Sequence, residues 1–322
     1  MVNLENYKIA GEIHKHTQNW IKSNIKVGMK LLNICNSIEN NIRNEYKKLY
    51  IEKQVNDCIA FPTGICINNI AAHYTPDIND NKVLKKDDVC KIDFGVHING
   101  CIIDSAFTID FSENYENLLL ASKDAVEKVI DNLGVGVRFR ELSDISKEIV
   151  ESYEIEKNGI LERVKCIENI TGHDILPWKI HGEKMFYSVP QLNDNQKVEE
   201  DDVLAIEIYT TTGNSQCIMN QDTKTYSHYM LNDKSKTKKT FTPETTKLLN
   251  NIYRNFRTLP FCPRYMYNVN NILDNSKSYR ELFVNGYLNI YPVLYDVDYN
   301  CRIAQFEETV YIGEKSNIVL SK

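Results

Sequence analysis

The chain has 322 residues, 42% hydrophobic and 25% charged, with a formal net charge of -6, a composition that excludes disordered and fibrous classes. No run approaches the ~18 consecutive apolar residues of a membrane span, and residues 1–10, with Asn3, Glu5, Asn6 and Lys8, hold no apolar secretory core. Nine cysteines without CxxC spacing argue for reduced, buried thiols in a cytoplasmic protein, and the acidic balance argues against nucleic-acid binding, which needs clustered cations.

Two amphipathic helices are predicted first, over residues 4–25 and 29–50; Ile34, Ile38, Ile42 and Leu49 form one apolar stripe of the second. From Ala60 the texture changes to short β-type runs, notably 89–96 and 101–111, separated by Asn99-Gly100. Asn-Gly between such runs is a strong hairpin signal, because both residues tolerate positive φ. A helix follows, with Ser112 as N-cap and Gly134 as stop, then a second over 141–153. Further strands are predicted at 164–170, 203–209 and 309–312. Between them lies a mainly helical stretch: 234–239 is basic and polar, Thr242-Pro243 reads as a helix start, and Leu248, Leu249, Ile252 and Phe256 recur at helical spacing. The reading is α+β, one catalytic domain over 1–322, with 230–290 as a helical insert.

Asp93 and Asp104 fall on the two arms of the predicted hairpin. With a two-residue loop, Gly95 opposes Asp104 and Asp93 is its diagonal neighbour on the same face. Two carboxylates side by side repel unless a proton or a cation lies between them. His173 follows an apolar run, and Glu207 and Glu307 each sit inside one, where an unpaired charge is costly. The five make an oxygen and nitrogen set that suits a bridged two-metal site with room for water. Singly, each has a plainer reading: a water-facing strand-end Asp, a satisfied core His, a rim Glu. Spacing alone leaves both open.

Residues 88–104, Asp-Val-Cys-Lys-Ile-Asp-Phe-Gly-Val-His-Ile-Asn-Gly-Cys-Ile-Ile-Asp, resemble the signature of type 2 methionine aminopeptidases. So do Phe61 to Pro76 through His73, and the similarity continues in order through Thr171-Gly172-His173, Lys179-Ile180-His181, Ala205-Ile206-Glu207, Ser227-His228-Tyr229-Met230, Asn255-Phe256, Thr258-Leu259, Phe261-Cys262, Tyr291-Pro292 and Ala304-Gln305-Phe306-Glu307. The resemblance implies the pita-bread fold, a curved antiparallel sheet covered by helices, with the helical insert that distinguishes type 2. It implies that Asp93, Asp104, His173, Glu207 and Glu307 bind two divalent ions (cobalt, manganese or iron(II)), with Asp104 and Glu307 bridging. It implies Glu207 as proton shuttle beside a metal-activated water, and His73 and His181 as catalytic groups whose hydrogen bonds favour the tetrahedral intermediate. Phe61, Ile180, His228 and Tyr291 would line the methionine pocket with those two histidines.

The implied activity is removal of the initiator methionine from nascent chains whose second residue is small. N-terminal methionyl peptides would be the partners, with at most transient ribosome contact and no membrane or nucleic acid; fumagillin-type epoxides would alkylate His73. The competing readings are a catalytically inactive pita-bread binding module and an X-Pro-cleaving, prolidase-like peptidase. Three departures stand out. Glu308 replaces a common His and would add negative charge near the metals; Pro260 and Pro263 would stiffen the insert's pocket-facing turn; residues 213–226 run a few residues long. His14 and His16 read as solvated helix residues.

Overall fold

Asn3 opens α1 (Leu4–Asn24), its side chain accepting the Asn6 N–H at 3.2 Å. The buried face of α1, Tyr7, Ala10, Ile13, His14, Thr17 and Ile21, recurs every three or four residues, as does that of α2 (Leu31–Lys47) through Ile34, Ile38, Ile42 and Tyr46. After a short turn at Val55–Cys58 come β1 (Ile59–Ile67), β2 (Ile70–Ala72), β3 (Val89–Ile98) and β4 (Cys101–Asp110). Then follow α3 (Glu116–Asp131), α4 (Phe139–Glu151), β5 (Glu154–Lys157), β6 (Ile160–Arg163), β7 (Lys165–Cys166), β8 (Thr171–Asp174) and β9 (Met185–Tyr187). The remainder is β10 (Val203–Thr211), β11 (Ile218–Asn220), β12 (His228–Leu231), α5 (Pro243–Phe256), α6 (Pro263–Asn270), α7 (Ser276–Val284), β13 (Leu288–Tyr291), β14 (Val293–Tyr295), β15 (Ile303–Tyr311) and β16 (Ile318–Val319). These elements come from a computed structural model that describes residues 2–49, 51–157, 159–220, 227–232, 240–270 and 276–322.

The main sheet is antiparallel, in the order β1-β3-β4-β15-β10-β8-β9, with β16 added to β15 and β7 to β10. Helices α1 and α2 pack on the β1-β3-β4 half and α3 on β15 and β10, with α4 beside α3 against β7 and β9. One apolar core fills each half: Ile34, Ile38, Ile92 and Phe94 lie in the first, Leu118, Val126, Leu204 and Ile206 in the second. Gly11 lets α1 close on the chain end, since a Cβ there would meet the Leu320 carbonyl oxygen at 2.1 Å. All nine cysteines are free and buried. Among the described residues no helix is long and apolar enough to cross a membrane.

Among the described residues, three helices, α5 to α7, stand between β12 and β13, which pair with each other from His228↔Tyr291 to Leu231↔Leu288. Thr242 caps α5 and Pro243 takes its first turn. The basic run 234–239 lies outside the described residues, as does the end of the 213–226 segment.

Five local expectations change. Ser112 does not cap α3; the Asp110 carboxylate takes the Ser112 and Tyr115 N–H groups at 2.9 and 2.7 Å, so the helix starts at Glu116. The predicted strand at 164–170 shrinks to Lys165–Cys166, and the one at 309–312 is the end of the longer β15. Pro263 begins α6 instead of stiffening a turn. His14 is fully buried, stacked on Phe94 with ring centroids 4.1 Å apart, its Nε2–H donating to the Phe94 carbonyl at 3.1 Å. It belongs to the apolar stripe of α1, four residues after Ala10, whereas His16 is exposed.

Candidate metal centre

The Asn99-Gly100 loop, with φ of 50° and 82°, turns β3 into β4 so that Ile98 faces Cys101 and Gly95 faces Asp104. Register then carries the site across the sheet. Asp93 pairs with Ala106, Ala106 with Glu307, and Glu307 with Glu207. That makes one row across β3, β4, β15 and β10, all on one face because directly opposed residues share a face. Asp104 lies two residues from Ala106 along β4, and His173 opposes Ala205, two residues from Glu207. Period-2 alternation brings both to the same face.

Between β4 and β15 the ladder is a single pair. Hydroxyls do the rest: Ser105 donates to the Glu307 carbonyl at 2.6 Å, Thr108 to the Gln305 carbonyl at 2.8 Å, and Thr309 to the Asp104 carbonyl at 2.6 Å.

The carboxylates are buried. Glu207 and Glu307 oppose each other directly, an arrangement that destabilises a sheet unless something neutralises it. Burial pushes the Asp93 carboxyl up to about 7 and that of Glu207 to about 8, with Asp93's charge adding to the latter. Asp104 and Glu307 are pushed well above the carboxylate range by burial and by their acidic neighbours. Asp93 Oδ1 and Asp104 Oδ1 have no hydrogen-bond partner. His173 Nε2 lies 3.6 Å from Asp104 Oδ2 and 4.0 Å from Glu207 Oε1, while its Nδ1 faces the Asp174 carbonyl at 3.3 Å. An N–H on Nδ1 leaves the Nε2 lone pair aimed at the carboxylates, the orientation of a ligating imidazole. Ligand atoms of Asp104, His173 and Glu307 fall within 4.8 Å of one another. Orphaned oxygens, opposed like charges and an oriented imidazole fit a divalent cation.

The metal-free protein is expected to gain stability as pH falls from about 8 to about 6.5, because the raised carboxyls take up protons in the folded chain before they would in the unfolded one. Below about 6.5 the sign reverses. His14, His97, His173, His181, His73 and His228 all have lowered pKa through burial, so they gain protons only on unfolding. Melting temperatures in chelator should peak near the crossover, and saturating manganese should remove the fall on the alkaline side. A metal-free melting temperature still rising at pH 8 would contradict this account of the row.

Every side chain picked out from the sequence as ligand, catalytic group or pocket wall lines one cavity of about 440 Å³. His73, at φ 66°, has Nδ1 3.0 Å from the Pro292 carbonyl; its ring centroid is 5.8 Å from those of His228 and Tyr291. His181 stands 4.3 Å from His173, centroid to centroid, and its Nδ1 is 3.3 Å from the Tyr291 hydroxyl. Burial lowers the pKa of His73, His181 and His228, which keeps them neutral. Phe61 lies beneath Gly95, where a Cβ would meet its ring at 2.1 Å.

Glu308 lies on the other face of the sheet, although its charge still adds to raising the Glu307 carboxyl. One residue beyond Glu307, it points through the sheet to the helix side, where the Ser321 hydroxyl donates to it and Lys322 lies 3.6 Å away. Sequence reasoning also passed over two neighbours. Gln305 Nε2 lies 3.4 Å from Glu207 Oε2 and from Glu307 Oε2, and the Tyr209 hydroxyl hydrogen-bonds Glu207. Each sits two residues from a carboxylate on its own strand, so strand parity was the available signal. Pro260 and Leu294 also line the wall.

The pattern of metallopeptidase family M24 matches residues 5–228. Methionine aminopeptidase 2-1 of Fusarium vanettenii is 38% identical over 99% of this chain and 71% of its own length, and methionine aminopeptidase 2 of Schizosaccharomyces pombe is 38% identical over 97% and 71%. Among solved structures, a thermophilic Arx1 covers 98% of this chain at TM-score 0.80, aligned over 90% of its own length, and a methionine aminopeptidase from Thermotoga maritima covers 99% at 0.63, over 96% of its own; both are 18% identical, a likeness of fold. With this extent of identity to methionine aminopeptidases 2, the chain belongs to metallopeptidase family M24, among its type 2 methionine aminopeptidases.

Proposed function

We propose that this initiator-methionine aminopeptidase cleaves its substrate in the cavity over the carboxylate row, with two divalent ions held by Asp93, Asp104, His173, Glu207 and Glu307. The observation that carries the assignment is the facing pair Glu207 and Glu307, buried beside two further carboxylates and one oriented imidazole. Asp104 and Glu307, nearest the row's centre, would bridge the ions. Bound there, the ions supply Lewis acidity, making a water deprotonable near neutral pH and polarising the scissile carbonyl.

The side chains do the rest. Glu207 takes the water's proton on a carboxylate oxygen and returns it to the departing amine. With Nδ1–H committed to the Pro292 carbonyl, His73 offers a bare Nε2, which accepts a hydrogen bond from the scissile N–H rather than donating one. That Nε2 is also where a fumagillin-type epoxide would react. With the Tyr291 hydroxyl donating to its Nδ1, His181 presents Nε2–H to the developing oxyanion. Phe61, Ile180, His228 and Tyr291 enclose the thioether, a flexible apolar chain suited to an aromatic-walled pocket.

The test is turnover of Met-Ala-Ser beside Leu-Ala and Ala-Pro, with cobalt, manganese or iron(II) loaded and metal content read on the same sample. Methionine release in proportion to bound metal is expected. Loaded protein that cleaved only Ala-Pro would establish the prolidase-like alternative, and protein with neither metal nor turnover would establish the inactive module. In the same assay His73→Ala should slow turnover on the order of a hundredfold at normal metal content; an emptied site in that variant would place His73 among the ligands.

A further inference from the structure

The turn after α5 places an arginine where the backbone favours glycine. The Leu259 N–H donates to the Phe256 carbonyl at 2.9 Å, closing a β-turn whose first central residue, Arg257, has φ 52° and ψ -121°. Those angles belong to the first central position of a type II′ turn, which glycine dominates because it has no Cβ to clash. A side-chain-bearing residue stays in such a well only when its surroundings hold it there, and strain of this kind gathers where position matters.

Trp178 is what holds it. The Arg257 guanidinium carbon lies 4.3 Å from the centroid of the Trp178 ring, a cation over an aromatic face. The next residue, Thr258, donates its hydroxyl to the Trp178 carbonyl. Trp178 is itself left-handed, at φ 64°, and its N–H donates to the Gly100 carbonyl at 2.9 Å. Its indole lies so close to the hairpin tip that a Cβ on Gly100 would be 2.4 Å away. Ile180 and His181, two and three residues further on, line the cavity. Past the turn, Pro260 lines the same cavity, and Phe261 exchanges two backbone hydrogen bonds of 2.7 and 2.8 Å with Tyr229, next to His228. The strained turn therefore joins two segments that each carry part of the cavity wall.

We propose that Arg257 is a positioning residue for the methionine pocket: stacked on Trp178, it draws the turn of the insert onto the loop 176–182 and sets the separation of Pro260 from Ile180 and His181. Arg257 itself stays outside the cavity. Its effect falls on how the methionine side chain is held, so it appears in KM and in side-chain selectivity, with kcat and metal content little changed. The inference rests on the aminopeptidase reading above.

The experiment compares Arg257→Ala, Arg257→Gly and Arg257→Lys in the full chain, manganese-loaded, on Met-Ala-Ser and its norleucine analogue. Arg257→Ala and Arg257→Gly are expected to raise KM about five- to tenfold, with kcat within about twofold and a narrowed preference between the two substrates. Arg257→Lys, which keeps a cation over the indole, should restore KM to within about twofold. Trp178→Leu should reach the same raised KM, and Arg257→Ala should add nothing in that background. Should Arg257→Ala melt early, Arg257→Gly, which suits the turn, carries the comparison. Wild-type KM and selectivity in folded Ala and Gly variants would overturn the proposal. The chain has two tryptophans, so in a Trp20→Phe background the fluorescence of Trp178 reports the stack without any turnover. A change there on Arg257→Ala supports the stack even if no methionine is released, which would instead end the aminopeptidase reading.

Discussion

Asp104→Asn is expected to lose methionine-releasing activity by at least about a thousandfold, together with most of its bound metal, while melting at a higher temperature than wild type in chelator. The two effects have one cause. Asp104 is buried, one of its oxygens lacks a hydrogen-bond partner, and its carboxyl is pushed far up by burial and by Asp93 and Glu207. Without a cation that charge is a liability to the folded chain, and removing it relieves Glu307 as well, whose own shift comes from burial and then from Asp104. Under the proposed assignment the same oxygens would ligate the cation, so that function would be maintained at the expense of metal-free stability. Asparagine keeps the side-chain shape, so no cavity confuses the comparison. Turnover within tenfold of wild type, or a lower metal-free melting temperature, would remove Asp104 from the centre of the row.

The legible parts of this site were those that depend on local periodicity. Asn99-Gly100 set the hairpin, and parity alone placed Asp93 and Asp104 on one face, as the register Gly95↔Asp104 bears out. The same rule, applied to Glu307, places Glu308 on the far side of the sheet and brings Gln305 and Tyr209 to the near side. The information was in the sequence, but adjacency in the chain outweighed adjacency on a face. The apolar stripe of α1 likewise contained His14. What no local pattern could supply is long-range pairing: the row from Asp93 to Glu207 runs through Ala106, a residue with nothing to single it out, and Trp178 meets Arg257 across 79 positions of sequence. The motifs that resemble type 2 methionine aminopeptidases pointed to side chains that line one cavity, but not to the contacts that hold the insert against them.

One of those contacts is ionic. Glu39→Ala is expected to destabilise the folded chain by about 3–5 kcal/mol, the usual result of leaving one member of a buried pair uncompensated. Glu39 on α2 and Arg264 on α6 are almost fully buried and meet in a fork, Nη1 to Oε2 at 2.8 Å and Nη2 to Oε1 at 2.7 Å. The Tyr265 hydroxyl also donates to Glu39, at 2.8 Å. The remaining guanidinium donors reach Asn36 Oδ1 at 3.0 Å, the Thr75 hydroxyl at 3.3 Å and, through Nε, the Pro76 carbonyl at 3.1 Å. One side chain thus ties the insert to an N-terminal helix and to the segment that begins at His73. Replacing both members by apolar residues, Glu39→Leu with Arg264→Met, should recover most of the lost stability, because no charge is then left unpaired. Turnover should not recover with it. The double variant lacks the donor to Pro76, three residues from a His73 held at positive φ, so kcat should stay several-fold low at full metal content. Recovery of both together would make the pair purely structural; recovery of stability alone assigns it the placement of His73.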